Sequence, residues 1–199
     1  MTKQGKSPSK TENNMQGQSS EDQVEEAVGV LKKGGIVIFP TDTVYGIGCR
    51  FDDKDAIFRL YKIKKTPTTQ PFPILVTNLS QVKNLAIINK TGAELIKKFW
   101  PGALTIILKS KNGKGKIGFR MPDPELVRSL IDGVGEPVIG TSANFHGYPT
   151  PKSYKELNPD LIKLVDFVME GECEGGVEST VVDATFDPPK VLRRGAITL

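Results

Sequence analysis

Apolar side chains change their spacing from one segment of this chain to the next, and the spacing sorts the segments into helices and strands. Val24, Ala27, Val28 and Leu31 recur every three or four residues until Gly34 and Gly35 stop the pattern, as one buried helical stripe requires. Ser20 followed by Gln23 reads as the capping box that opens this helix. Asp53 to Lys64 carries Ala56, Ile57, Leu60 and Ile63 on one face and predicts a second helix. A third starts with Thr91 and Glu94 as a capping box, runs through Leu95, Ile96 and Phe99, and ends at Trp100-Pro101-Gly102, since a residue before proline leaves the helical region. Pro124 to Ile131 predicts a short fourth. Between them lie runs without helical spacing: Ile36 to Phe39, Pro73 to Val76, Leu104 to Leu108, Ile117 to Phe119, Val138 to Gly140, Leu164 to Val168, Ser179 to Ala184 and Lys190 to Arg193. These read as strands, Ile36 to Phe39 as one buried on both faces. The turn-rich Lys111 to Lys116 joins two of them as a hairpin. Helices interleaved with strands and hairpins predict an α/β (α+β) single domain with a mixed sheet flanked by helices.

Polar segments punctuate this pattern at particular places. Thr141-Ser142-Ala143-Asn144 directly follows the apolar Pro137 to Gly140, and Pro40-Thr41-Asp42-Thr43-Val44-Tyr45-Gly46 follows Ile36 to Phe39. Arg120-Met121-Pro122 comes after the strand at Ile117, and Glu178-Ser179-Thr180 leads into Val181-Val182-Asp183. Ligands bind where buried strands end, so one site built from four strands is the economical reading. Taken singly, Thr41, Thr43 and Tyr45 also read as turn formers, and Ser142 and Asn144 as caps.

Composition narrows the class. The 199 residues hold 38% hydrophobic and 25% charged side chains, the proportions of a soluble globular protein of one domain. Residues 1–19 are rich in Lys, Gln, Ser and Asn and are expected to be a disordered polar tail ahead of a domain at 20–199. Nothing there resembles the apolar core of a leader, and no run approaches the roughly 20 apolar residues of a membrane span. A net charge of +4 permits phosphate contacts without demanding a nucleic-acid partner. Cys49 and Cys173 have no metal-ligand or disulfide spacing, which fits a reduced cytoplasm.

Several chemistries fall away. Gly113-Lys114-Gly115-Lys116-Ile117-Gly118 matches the dinucleotide-binding pattern in letters, but a strand and Pro122 follow where that fingerprint needs a helix. It reads as a solvated hairpin tip. His146, the only histidine, lies beside Gly147 in a loop and cannot anchor a Ser/His/Asp or Cys/His set. No metal-ligand cluster appears, though Asp42 offers a carboxylate to a magnesium ion on a bound nucleotide.

Eight segments in order resemble the YrdC-like threonylcarbamoyl-AMP synthase family. They are Pro40 to Gly46, Leu60 to Lys64, Pro71 to Val76, Trp100 to Thr105, Arg120 to Asp123, Thr141 to Asn144, Glu178 to Asp183, and Val191 to Gly195. The resemblance spans about Val24 to Ile197 and implies a twisted sheet around a large concave basic cavity. It implies ATP with magnesium, L-threonine and bicarbonate as substrates, threonylcarbamoyl-adenylate and pyrophosphate as products, and no tightly bound prosthetic group. A tRNA-modifying threonylcarbamoyl transferase complex, and tRNA or double-stranded RNA, are the implied partners, with no role for a membrane. By motif position, Thr41, Ser142 and Ser179 would contact threonine, and Lys64, Thr68, Asn144, Pro151 and Arg193 the nucleotide. Lys64 and Arg120 would be the catalytic cations, and the Gly147-Tyr148-Pro149-Thr150-Pro151 segment would cover the nucleotide. No metal-ligating residue is implied.

Three positions depart from the family pattern, one of them Gln70, where a basic residue often precedes the proline at Pro71. Where the family shows Lys-x-Arg before a proline, this chain reads Lys64-Lys65-Thr66-Pro67; threonine lacks the planar fork that grips phosphate with two bonds, leaving Lys62 or Lys65 to compensate. Leu75 stands where some members have histidine. Two other readings of the chain remain open: an RNA-binding protein that uses the basic cavity without chemistry, and a carbamoyl-adenylate enzyme with a different acceptor.

Overall fold

The computed structural model describes residues 18–199, so most of the expected polar tail lies outside the described residues. Helix α1 spans Ser20–Lys32. Its capping box sits one residue earlier than the sequence suggested: Ser19 Oγ accepts from Asp22 N at 3.1 Å, and Asp22 reaches back to Ser19 N. A carboxylate at this position meets the positive end of the helix dipole better than the Gln23 amide would. Gln23 instead accepts from Glu170 N at 2.6 Å and ties the helix to a distant loop.

Strands β1 (Val37–Phe39) and β2 (Gly46–Arg50) follow, then α2 (Lys54–Lys64), capped by Asp53. Next come β3 (Ile74–Leu75), α3 (Leu79–Leu85), β4 (Ala86–Ile87) and α4 (Lys90–Phe99). Asn89 caps α4 by accepting from Gly92 N at 2.9 Å, so the Thr91–Glu94 box is not used; an Asn side chain reaches a first-turn amide equally well. The hairpin of β5 (Leu104–Ser110) and β6 (Lys116–Arg120) places the glycine-rich segment at its tip, as expected. The remainder is α5 (Glu125–Val134), β7 (Val138–Ser142), α6 (Pro159–Ile162), β8 (Phe167–Val168), β9 (Thr180–Asp183) and β10 (Lys190–Arg193). Strand β2 and the short α3, β4 and α6 were not legible in the sequence. In β2, Gly48 is required because a Cβ there would lie 2.0 Å from Ile139 O on the neighbouring strand.

All ten strands form one mixed sheet in the order β10-β9-β5-β6-β3-β7-β2-β1-β8, with β4 beside β5. Pairs β5–β9, β3–β6 and β1–β8 are parallel. One face buries Ile38, Ile47, Leu104, Ile106 and Phe119 beneath the apolar stripes of α2 and α4. The other face is only half covered. There α1 and α5 place Leu31, Val127, Leu130 and Ile131 over Val37, Phe39, Leu75 and Val138. The alternate residues of β5, β6 and β9 on the same face, Thr105, Ile107, Gly118, Arg120, Val181 and Asp183, instead floor a cavity.

Candidate active site

The cavity has a volume of about 420 Å³, the size of a small-molecule site. The four polar segments that follow or lead strands converge on it. Thr41, Thr43, Thr141, Ser142, Ser179 and Arg193 stand around the floor that carries Arg120.

Arg120 is buried and locked. Its Nη2 donates to Asp42, Nη1 to Thr43 Oγ1 at 2.8 Å, and Nε to Gly102 O at 3.2 Å. A guanidinium has five N–H donors, so two are unspent on a residue that lines the cavity. Thr41 Oγ1 donates to Val44 O at 2.7 Å. It also accepts from Thr43 N at 3.1 Å and lies 2.9 Å from Thr43 Oγ1. Its proton being committed to Val44, the Thr43 hydroxyl must donate to Thr41. The direction of the chain from Arg120 through Thr43 and Thr41 is thereby fixed.

On the opposite wall, Ser179 Oγ lies 2.9 Å from Thr105 Oγ1 and accepts from Arg193 Nη2 at 3.1 Å. Arg193 also donates to Ser179 O and pairs with Glu178 at 3.0 Å. Toward the hairpin tip, Lys116 pairs with Asp183 at 2.7 Å. Burial alone would raise the Asp183 carboxyl, but hydrogen bonds from Lys116 and Thr185 hold it below its ordinary value. Each cation lining the cavity thus faces a carboxylate.

Lys64 and Asn144 form a second group behind Ser142, outside the cavity lining. The Lys64 ammonium donates to Ser142 O at 2.5 Å, Asn144 O at 2.7 Å and Asn144 Oδ1 at 3.1 Å, which uses all three of its donors. Burial pushes its pKa down to about 8, and Glu178 opposes that shift. Ser142 Oγ donates to the same Asn144 Oδ1 at 2.7 Å, so Ser142 joins this group to the cavity. Asn144 Nδ2 also donates to Tyr148 O, which holds the Gly147 to Pro151 segment beside it.

Of the residues singled out in the sequence, Thr41, Arg120, Ser142, Ser179 and Arg193 line the cavity. Thr68 is exposed in the loop after α2, and Pro151 is buried with its carbonyl accepting from Tyr45 N at 2.9 Å. Neither lines the cavity. The Lys65 ammonium lies 5.2 Å from the Phe145 ring centroid, next to Asn144, whereas that of Lys62 lies over the Phe58 ring. Of the two lysines considered as substitutes for the missing arginine, Lys65 is therefore the one beside the Asn144 loop. Thr66 Oγ1 is buried without a hydrogen-bond partner. Thr43, Thr105, Lys116 and Asp183 line the cavity although sequence reasoning gave them no role. Thr105 left one signal, a hydroxyl inside the otherwise apolar run Leu104 to Leu108.

Among the described residues no group of three or more His, Cys, Asp or Glu side chains is placed to hold a metal ion. Among the same residues no helix is long and apolar enough to cross a membrane.

A family model for Sua5, YciO and YrdC proteins, described as "Telomere recombination", matches residues 29–195. The threonylcarbamoyl-AMP synthase of Bacillus subtilis is 35% identical over 191 residues, covering 90% of this chain and 55% of that protein. Its counterpart from Pyrococcus abyssi is 35% identical over 183 residues, covering 87% and 54%. This chain therefore spans about half the length of these two relatives. The uncharacterized protein YciO of Escherichia coli is 31% identical over 86% of this chain and 88% of its own length. The crystal structure of P. abyssi Sua5 complexed with L-threonine superposes with a TM-score of 0.81 at 35% identity, covering 86% of this chain and 54% of that one. Escherichia coli YciO gives 0.81 at 29% identity, covering 90% and 92%.

Proposed function

Since this chain belongs to the Sua5–YciO–YrdC family, we propose that it is an L-threonylcarbamoyladenylate synthase. The observation that carries the reading is the convergence of Thr41, Ser142, Ser179 and Arg120 on one cavity, in a fold shared with a Sua5 solved with L-threonine. The reaction uses L-threonine, bicarbonate and ATP. The threonine amine attacks the bicarbonate carbon, a C–N bond forms, and water leaves to give a carbamate. A carbamate oxygen then attacks the α-phosphorus, and pyrophosphate departs as the bond to the β-phosphate breaks.

This chemistry needs no protein nucleophile; orientation and charge neutralisation supply the rate. The two unspent N–H groups of Arg120 take the amino-acid carboxylate. The Lys64–Asn144 group and Arg193 stand on the nucleotide side, with Ser142 between the two substrates. Each cavity carboxylate is engaged by a cation, so magnesium would be carried on the ATP phosphates rather than by a dedicated protein cage. The product would pass to a threonylcarbamoyl transferase acting on tRNA, in the cytoplasm. The paired cations argue against a passive RNA grip, which would rely on unpaired positive charge.

Pyrophosphate release by the purified protein with MgATP tests this reading. Release that requires both L-threonine and bicarbonate is the expected result, and its absence in folded protein removes the synthase assignment. Thr66→Arg, which restores the bidentate fork, is expected to lower the KM for ATP by about tenfold.

A further inference from the structure

Proton accounting separates the hydroxyls of the cavity. Thr41 is closed, because its proton goes to Val44 O and it already accepts from Thr43. Thr43 and Ser142 can only accept, since their protons go to Thr41 and Asn144 Oδ1. Thr141 borders the cavity at the end of β7, but it lies opposite Ile47 and its side chain alternates to the face that Ile47 occupies. Thr105 and Ser179 differ: one proton lies between them at 2.9 Å, and Arg193 occupies one lone pair of Ser179. Whichever of the two donates, a second proton and at least two lone pairs remain unspent. This pair alone among these hydroxyls can both give and take a hydrogen bond, as recognition of another hydroxyl requires.

The placement fits a small amino acid. Ile106 pairs with Phe119 across the β5–β6 ladder, so Thr105 stands across from Arg120 on the cavity face, with Cβ atoms about 5 Å apart. An α-carboxylate held by Arg120 would leave the substituent two carbons away within reach of the neighbouring strand that carries Thr105. Ile107, Val181 and Leu75 give the same region an apolar wall.

We propose that Thr105 is a specificity-determining residue: with Ser179 it binds the β-hydroxyl of the amino-acid substrate while Arg120 holds the carboxylate, so the site selects a 2-amino-3-hydroxy acid over its deoxy analogue. This rests on the synthase reading. The test compares kcat/KM for L-threonine and L-2-aminobutyrate, which lacks the hydroxyl, in wild type, Thr105→Val and Thr105→Ser. Wild type is expected to prefer threonine, Thr105→Val to lose about 10–100-fold of that preference, and Thr105→Ser to keep it. A wild-type preference that Thr105→Val leaves unchanged overturns the role of Thr105 while the synthase reading stands. No turnover of any amino acid by wild type removes both. If Thr105→Val does not fold, the Thr105 methyl resonance of the wild-type protein decides: a shift with L-threonine that L-2-aminobutyrate does not reproduce supports the proposal, and identical shifts overturn it.

Discussion

Arg120 and Lys64 look alike in the sequence, as cations near strand or helix ends, but the fold binds them differently. Arg120 shares a buried ion pair with Asp42, their side chains only 10% and 8% exposed. Removing one partner of such a pair strands the other charge. Asp42→Asn should therefore cost about 3 kcal/mol in urea unfolding at neutral pH; a loss below about 1 kcal/mol would show that the pair contributes little. Lys64 is held to about 8 by burial, against 10.5 for an ordinary lysine. Between those values the unfolded chain binds more protons than the folded one, so the burial cost is fully present below about pH 8 and is relieved as pH rises toward about 10.5. Wild type should gain stability relative to Lys64→Met on going from about pH 7.5 to about 9.5, and an unchanged difference would contradict this sign.

Ser179 directly precedes strand β9 and Asp183 ends it, so the register of β9 sets both ends of the cavity wall. The segment after β10 fixes that register from outside. Gly195 N donates to Thr180 Oγ1 at 3.1 Å, and Ala196 N to Glu178 O at 2.9 Å. A Cβ on Gly195 would lie 2.2 Å from Glu178 O and 2.6 Å from the Ser179 carbonyl carbon. Backbone cannot swing aside as a side chain can, so Gly195→Ala should cost about 1–3 kcal/mol and raise the KM for threonine, read by thermal melting and by kinetics. Normal kinetics with a lowered melting temperature would mean that β9 relaxes without moving Ser179.

Across the whole molecule, helices α2 and α4 pack on one face of the sheet, α1 and α5 cover part of the other, and the cavity lies on the part they leave open. Helix α1 is capped by Ser19 and bound in through Ala27 and Leu31. The sequence by itself determined the helical stripes, most strands, the hairpin and the polar segments that end up together, because these follow from local periodicity and turn chemistry within a few residues. It misplaced two caps by one or two residues, since several neighbouring Ser, Thr, Asn and Asp side chains can each reach the same amides. It did not disclose β2, whose glycines are set by a neighbouring strand rather than by periodicity. Only the tertiary structure decided which polar groups are spent. Thr41 and Lys64 meet internal partners that exhaust their donors, while Thr105, an apparent core strand residue, keeps a hydroxyl open to the cavity, because hydrogen-bond capacity depends on partners that lie up to 80 residues away along the chain.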